Sequence, residues 1–322
     1  MIGNARWVAC AVTLLVGIGS ADAQNSDTSN LDSNGTYRPR THTSELLPNA
    51  YWVHKDLLSG GLPHGPDAFE ELRRLGIKTI ISVDGIKPDI DSAKRLGIRY
   101  VHLPHGYDGI AKKRLLEITK AIRDFDKPIY LHCHHGKHRG PTAAAAACIS
   151  AGWLPPDSAM IILKTAGTNP AFKGLIETAT NAIPLDPKAL DELRVEFVQV
   201  AELPPIIEAM VAVDEVFDRL QVNQKQGWSQ SGRADALLLK EHFMELHRAE
   251  SQGVHGIRQP EFQESLRQGL EAAGLLEIQW TKMENASTPD TVLHQGLNDA
   301  MKRISQNCTQ CHTQFRDNST GQ

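Results

Sequence analysis

The sequence has no marked excess of charge of either sign and few cysteines. Its 322 residues include 34 Lys and Arg and 38 Asp and Glu, which gives a formal net charge of −4. Because no long basic run occurs either, the composition does not indicate a nucleic acid partner. Beyond the N-terminus no apolar run is long enough to cross a bilayer, so we expect no stable membrane span. A chain of this length is expected to form two domains.

The one long apolar run has the pattern of a secretory signal peptide. Arg6 precedes the run Trp7–Ile18, and the small residues around Ala23 provide a cleavage site. The segment is too short and wrongly flanked for a permanent membrane span. We therefore predict a signal peptide over residues 1–23 and a periplasmic or secreted bacterial protein. Residues 24–46 are rich in Ser, Asn, Asp and Thr, and we predict a disordered leader there.

Strand and helix patterns alternate between residues 47 and 185. Such alternation predicts an α/β domain in which helices flank a mainly parallel sheet, with functional loops at the carboxyl ends of the strands. Cys148 falls in an Ala-rich helix after Arg139 and is expected to be a small core residue. The other predicted elements are strands at Tyr51–Val53, Leu57–Leu58, Ile77–Val83, Ile98–Leu103 and Pro128–Leu131, and helices at Pro66–Leu75, Pro88–Leu96, Ile110–Phe125, 156–166 and 170–182.

The stretch His132–Arg139 places a cysteine and an arginine between the last of these strands and the Ala-rich helix. The loop amides and the positive end of the helix dipole converge on one point, which favours an anion. A thiol held there loses its proton easily, and the thiolate is the nucleophile. The guanidinium of Arg139 can bind two oxygens of a phosphoryl group at once. The pattern therefore predicts that Cys133 is a nucleophile in an anion-binding loop.

The order His-Cys-x5-Arg, with Gly136 three residues after the cysteine, resembles the signature loop of the protein tyrosine and dual-specificity phosphatases. The resemblance implies an α/β phosphatase domain that works through a phosphocysteine on Cys133, with Arg139 on the phosphoryl group. It also implies that His132 positions the loop. Basic residues in this loop resemble those of superfamily members with highly phosphorylated, non-protein substrates. The substrate-binding candidates are His134, His135, Gly136, Lys137 and His138.

Two further positions bear on turnover by such an enzyme. Residue 140 is a glycine. The family usually has a Ser or Thr at this position, and its hydroxyl helps the cysteine to leave as thiolate. The resemblance also places the general acid after the Ile98–Leu103 strand, and Asp108, flanked by glycines, is the residue that we select. Asp is a preferred helix N-cap as well, and Asp84 and His105 are the alternative acids.

A second motif lies near the C-terminus. The run Cys308-Thr309-Gln310-Cys311-His312 has the attachment pattern of c-type haem, in which both cysteines form thioethers and the histidine ligates iron. No second cysteine pair completes a zinc site, and no strand pattern precedes the motif as in thioredoxin-like dithiols. We predict one covalent haem c per chain on Cys308 and Cys311, with His312 as the iron ligand. Such attachment is expected outside the bacterial cytoplasm, in agreement with the signal peptide.

Helical periodicity replaces the strand patterns after residue 185. We predict a connector over residues 186–204 with a helix at Leu190–Ala201, then amphipathic helices up to residue 322. Four helices with haem near the end of the last one resemble cytochrome c′. This resemblance implies an all-α four-helix bundle over residues 205–322, an iron whose sixth position is open or held by Met210, a redox partner or diatomic gas ligand, and homodimer formation through the bundle. The four predicted helices are Pro205–Val222, Ala234–Glu250, Pro260–Lys282 and Thr291–Arg316.

Three functions are compatible with these motifs. The first is an exported phosphatase that hydrolyses phosphoesters of a protein or small molecule, with a haem domain for electron transfer or for sensing of a ligand or redox state. The second is a haem protein whose phosphatase-like domain binds phosphoesters with weak turnover, which Gly140 favours. The third is a sulfurtransferase or sulfur-oxidising haem protein with a persulfide on Cys133, and this chemistry does not need Asp108. We adopt the first.

Overall fold

The computed structural model describes residue 30 and residues 37–228, 232–252, 259–285 and 291–317. The signal peptide predicted for residues 1–23 lies outside the described residues. The described chain has an α/β region (residues 37–192) and a helical region (residues 205–317), which are joined by residues 193–204.

The described part of the α/β region contains six strands: β1 (Arg40–Thr41), β2 (Tyr51–His54), β3 (Leu57–Gly60), β4 (Thr79–Ser82), β5 (Arg99–His102) and β6 (Ile129–His132). They form one mixed sheet in the order β1-β2-β3-β6-β4-β5. The strands β3, β6, β4 and β5 are parallel to one another, as predicted, whereas β1 and β2 are added antiparallel at one edge. Because parallel strands end at the same edge, the loops after β4, β5 and β6 lie close together there.

Helices cover both faces of this sheet. The residues of β6 alternate between two apolar clusters, since Ile129 and Leu131 pack with one and Tyr130 packs with the other. This alternation is the period of two expected for a strand that is buried on both faces. The helices of the region are α1 (Gly65–Arg74), α2 (Ile90–Arg95), α3 (Lys112–Asp124), α4 (Arg139–Ser150), α5 (Ser158–Ala166), α6 (Lys173–Thr180) and α7 (Pro187–Glu192).

Helix α4 runs through the larger of the two clusters. Every residue from Gly140 to Ser150 is buried, and the run Ala143–Ala147 lets neighbouring helices approach closely. Cys148 is fully buried, as predicted from its place in this run. Burial also raises the pKa of the Cys148 thiol, so this side chain stays protonated and unreactive.

Two predictions about connecting segments are wrong. The leader was expected to be disordered up to residue 46, but Tyr37 is buried and donates a hydrogen bond of 2.7 Å to the Val53 carbonyl. The helix expected at Leu190–Ala201 does not form, because α7 ends at Glu192 and residues 193–201 are not helical. The chain is extended at Leu193, and the Val198 carbonyl accepts from the amide of His102 at 3.0 Å. Pairing with the end of β5 takes the place of the helical hydrogen bonds there.

The described helical region contains four long helices, α8 (Pro205–Lys225), α9 (Gly232–Ser251), α10 (Pro260–Glu284) and α11 (Thr291–Phe315). Helix α9 packs against α8 and α10, and α10 packs against α11. One apolar cluster includes residues of all four, among them Leu220, Phe243, Trp280 and Leu297. The last helix is amphipathic, as predicted, because Leu297 and Ile304 are fully buried whereas Lys302 and Arg303 are exposed. None of the described helices is both long and apolar enough to span a membrane.

Candidate active site and haem-attachment motif

Cys133 lies where β6 ends and the cysteine loop (residues 133–138) leads into α4. Its side chain is buried, with 3% of the residue exposed. Within the described chain, none of the amides of residues 134–138 donates a hydrogen bond to a protein acceptor. Unpaired amides at the start of a helix form a concave donor site that suits an anion. The geometry therefore matches the predicted anion-binding loop around a thiol.

Gly136 lets the cysteine loop pass close to a neighbouring loop. It has a φ of +68°, and a Cβ at this position would lie 2.5 Å from the Gly60 carbonyl carbon and the Gly61 nitrogen. Both facts require glycine. On the other side, the Asn49 side chain donates to the Gly136 carbonyl at 2.8 Å and to the Ala166 carbonyl at 3.0 Å. The role of Asn49 was missed in the sequence, because no local pattern connects it to the loop.

Arg139 is held by a buried carboxylate. One of its terminal nitrogens lies 3.3 Å from Asp84 Oδ2, and the other carboxylate oxygen accepts from the Ile86 amide at 2.8 Å. Burial by itself raises the pKa of Asp84, but the guanidinium of Arg139, the hydrogen bond from the Ile86 amide and the nearby histidines together outweigh this and leave that pKa below its ordinary value. Asp84 is therefore ionised and orients Arg139, so it is a poor candidate for the general acid.

His132 is enclosed beneath the loop. Its Nε2 lies 2.6 Å from the hydroxyl of Tyr100, and its ring stacks on Tyr130 at a centroid distance of 5.7 Å. Complete burial lowers the pKa of His132 to about 4, so the imidazole is neutral near pH 7. These contacts fit the positioning role that the resemblance implied for His132.

The segment between β5 and α3, called the β5–α3 loop (residues 103–111), carries two of the acid candidates. Asp108 is exposed on this loop. His105 has a pKa lowered to about 4, first by burial and then by the charge of Arg139, so its imidazole is neutral near pH 7 and is a weak proton donor. Through Tyr107 the β5–α3 loop contacts the first residue of α4, because Arg139 Cζ lies 4.5 Å from the centroid of that ring. With Asp84 ionised and His105 neutral, Asp108 remains as the acid candidate.

The histidines of the cysteine loop face different neighbours. The two ring nitrogens of His134 lie 3.3 Å from Asp214 and 3.4 Å from Asp218, both on α8. Burial lowers the pKa of His134, but the hydrogen bond with Asp214 and the charges of Asp84, Asp214 and Asp218 together outweigh it and raise that pKa above its ordinary value. His135 stacks on His134 at 4.2 Å, and together with Asp214 the two rings offer metal-ligand atoms within 4.8 Å of one another. The sequence did not reveal that α8 contacts this loop.

Lys137 and His138 are the two remaining basic residues of the cysteine loop. Lys137 is exposed. The ring of His138 packs on Phe172 at a centroid distance of 4.8 Å, and its pKa is lowered to about 4, first by burial and then by neighbouring positive charges. His138 is therefore neutral near pH 7 and contributes to the wall of the site more than to its charge.

The position after Arg139 is directly beside the thiol. A Cβ at Gly140 would lie 3.4 Å from Cys133 Sγ and 3.2 Å from its amide nitrogen. The nearest hydroxyl in the sequence, that of Thr142, donates instead to the His138 carbonyl at 2.9 Å. A hydroxyl on residue 140 would thus lie beside the sulfur, whereas the Thr142 hydroxyl is hydrogen-bonded to the backbone at the start of the helix.

The residues of the Cys-x-x-Cys-His motif lie on consecutive turns of α11 and beside the apolar cluster of the helical region. Cys311 is buried and Cys308 is half-buried. Burial raises the pKa of both thiols and lowers that of His312 to about 4, so the imidazole is neutral near pH 7, as an iron ligand must be. Met210 on α8 packs against the same cluster. Two neighbouring thiols and a neutral imidazole fit the attachment of a c-type haem.

No family model matches this chain, and no curated protein matches it. Solved structures match it in part. One is TpbA of P. aeruginosa, with 20% sequence identity, 48% of this chain and 93% of that chain covered, and a TM-score of 0.40. Another is the core catalytic domain of the PP-IP phosphatase SIW14 from S. cerevisiae, in complex with citrate, with 18% identity, 46% and 92% covered, and a TM-score of 0.38. Each match spans less than half of this chain and nearly all of the solved one.

Proposed function

We propose that this protein is an exported, cysteine-dependent phosphatase with a covalently bound haem. The observation that carries the phosphatase proposal is the environment of Cys133. Its buried thiol lies in a loop whose amides at residues 134–138 have no acceptor within the described part of the protein, beside an arginine that Asp84 holds in place. Donors that are fixed before the substrate arrives stabilise a transferring phosphoryl group without further reorganisation.

The residues account for a complete reaction in two steps. The Cys133 thiolate attacks phosphorus, the bond to the leaving oxygen breaks, and Asp108 gives that oxygen its proton. The loop amides and Arg139 bind the phosphoryl oxygens as their charge shifts. Water then attacks the phosphocysteine, Asp108 takes a proton from it, and phosphate and the thiolate are released. The substrate is a phosphoester of a protein or of a small molecule.

The haem proposal rests on the motif on α11. Cys308 and Cys311 would hold the haem through thioethers, and His312 would ligate the iron. When bound, a haem of this kind supplies electron transfer or binding of a diatomic gas. Met210 packs on the same cluster as these residues and would be a further iron ligand if the iron does not keep an open site for a gas. Export is proposed because haem attachment of this type and the N-terminal apolar segment indicate the same compartment.

The test of the phosphatase proposal compares phosphate release from p-nitrophenyl phosphate by the parent chain and by Cys133→Ser. We expect the variant to lose at least about a thousandfold in rate, because serine is a far weaker nucleophile at this site. Cys148→Ala is the matched control, since that buried thiol is remote from the chemistry and the variant should stay active. Vanadate should inhibit the parent by mimicking the transferring phosphoryl group. Equal rates in parent and Cys133→Ser would refute the assignment.

The acid role of Asp108 has a separate test. Asp108→Asn should slow alkyl phosphates by about a hundredfold and aryl phosphates much less, because nitrophenolate leaves without a proton. The aryl substrate is thus an internal control for folding and binding. If both substrates slow equally, Asp108 is not the acid.

Gly140 supports a second candidate, a domain that forms the phosphocysteine but hydrolyses it slowly. No hydroxyl stands beside the sulfur at residue 140 to help the thiolate leave. Gly140→Ser should raise the steady-state rate several-fold and reduce the amount of trapped phosphocysteine if that step limits turnover. An unchanged rate and an unchanged level of intermediate would show that it does not.

A further inference from the structure

The helical region reaches the proposed active site through the end of α11. The guanidinium carbon of Arg316, the residue after that helix, lies 4.0 Å from the centroid of the Tyr107 ring. It is also 6.0 Å from the centroid of Phe172. Both distances are within the range of a cation–π contact. A residue at the end of the chain thus touches the β5–α3 loop, which carries Asp108.

Tyr107 is bound by cations from two regions of the chain. Arg139 Cζ lies 4.5 Å from its ring centroid and Arg316 Cζ lies 4.0 Å from it. Each guanidinium has its own carboxylate, because Arg139 pairs with Asp84 at 3.3 Å and Arg316 pairs with Asp317 at 2.6 Å. The two positive charges can therefore share one ring without strong mutual repulsion.

Tyr107 also joins a small aromatic cluster. Its ring centroid lies 4.8 Å from that of Phe172 and 6.4 Å from that of His138. His138 belongs to the cysteine loop, and Phe172 precedes α6. Arg316 extends this cluster at Phe172 as well as at Tyr107. The contacts hold the β5–α3 loop against the cysteine loop on the Tyr107 side of Asp108.

The other side of the loop is held by α6. The Ile110 amide donates to Thr178 Oγ1 at 3.1 Å. Gly174 lets α6 approach so closely that a Cβ there would collide with the Asp108 carbonyl oxygen. The backbone of Asp108 is thus fixed between α6 and the Tyr107 contacts. Of these supports, Arg316 is the one that the helical region supplies.

We propose that Arg316 is a positioning residue for the general acid: through Tyr107 it holds the β5–α3 loop so that Asp108 faces the leaving group. The inference rests on the proposed function and assigns part of the catalytic arrangement to the helical region. Arg316 lies one helical turn beyond His312, so the segment that carries the haem motif also contacts the acid's loop.

The test uses the full chain and three variants. Arg316→Ala removes the cation, Arg316→Lys keeps a cation for the ring, and Arg303→Ala is the matched control, because Arg303 is an exposed arginine on the same helix. We expect Arg316→Ala to lower kcat for an alkyl phosphate about tenfold, with KM and the rate for p-nitrophenyl phosphate nearly unchanged. Arg316→Lys should recover part of the loss, and Arg303→Ala should behave as the parent.

A double-mutant comparison shows whether Arg316 acts through the acid. In an Asp108→Asn background, Arg316→Ala should have no further effect on the alkyl phosphate, because the acid it positions is already gone. Additive losses, or equal losses on alkyl and aryl phosphates, would overturn the proposal.

Hydrogen exchange gives a readout that does not need activity. The amides of residues 103–111 should exchange faster in Arg316→Ala than in the parent or in Arg303→Ala. Unchanged protection would overturn the proposal. A last outcome separates this inference from the proposed function. If phosphate release does not depend on Cys133 but Arg316→Ala still speeds amide exchange at residues 103–111, the proposed function is wrong. The contact of Arg316 with the β5–α3 loop is then still supported.

Discussion

The α/β region and the helical region each carry a cysteine motif, but they assemble it in different ways. Around Cys133, the loop geometry depends on Asn49, on Gly60 and Gly61 and on Asp84, which come from separate segments. In the helical region, the two cysteines and His312 lie on consecutive turns of α11 and need no other element to bring them together. The first site is a product of tertiary packing, whereas the second is a product of helix periodicity. Changes far away in sequence should therefore damage the first site and spare the second.

The largest expected effect separates the two sites completely. The double change Cys308→Ala with Cys311→Ala should abolish covalent haem, because no thioether can form. Hydrolysis of p-nitrophenyl phosphate should change by less than about twofold, since the contacts around Cys133 do not include these thiols. Haem staining of the denatured chain and the aryl phosphate rate measure the two effects. Covalent haem in the double variant would contradict the attachment site, and Cys148→Ala should retain haem in full.

The next effect concerns glycine in the cysteine loop. Gly136 and Gly97 have the same φ of +68°, but a Cβ has open space at Gly97 and meets backbone atoms at Gly136. Gly97→Ala should lower the free energy of unfolding by about 1 kcal/mol, the cost of the backbone conformation alone. Gly136→Ala should cost about 3 kcal/mol or more and abolish phosphate release. Urea unfolding and activity assays distinguish them. Equal costs would show that the close approach at Gly136 is relaxed in solution.

A smaller effect on stability is expected at the buried ion pair of Asp84 and Arg139. Asp84→Asn leaves Arg139 buried without its carboxylate and should lower the free energy of unfolding by about 2–3 kcal/mol at pH 7. The pKa of Asp84 in the folded chain is below its unfolded value, so this stabilisation is complete above about pH 4 and is lost as the pH falls through the folded pKa. Parent and variant should therefore converge in strong acid. The control is Asp124→Asn at the surface pair with Lys120, where we expect less than about 1 kcal/mol.

The smallest expected effect lies in the contact between the regions. The pKa of His134 is raised in the folded chain, so its pairing with Asp214 stabilises fully below about pH 6.5 and is lost as the pH rises through the folded pKa. Asp214→Asn should cost less than about 1 kcal/mol at pH 6 and nothing at pH 9. Asp235→Asn, which breaks a pair with Arg219 inside the helical region, should have the same cost at both values. A pH-independent effect of Asp214→Asn would show that His134 is not the charged partner.

Most of the regular elements were predictable from the sequence, because their signals are local. The four helices α8 to α11 begin and end within a few residues of their predicted bounds. The strands β4 and β5 lie inside the predicted strands, and β6 extends one residue past its predicted end. The predictions failed where long-range pairing competes with local preference. Tyr37 was placed in a disordered leader, yet its hydroxyl bonds to the Val53 carbonyl, and residues after Leu193 pair with the end of β5. Polar composition and helical periodicity carry no information about such partners.

Local sequence spacing is enough to predict which chemical groups lie next to each other along one element. The spacing of Cys308, Cys311 and His312 puts them on one part of a helix, and the strand, loop and helix around Cys133 follow from apolar runs and a glycine. The contacts of Asp84 with Arg139 and of Arg316 with Tyr107 could be found only in the folded chain. Periodicity and capping depend on neighbours within a few residues, whereas contacts between distant residues depend on how the whole chain packs.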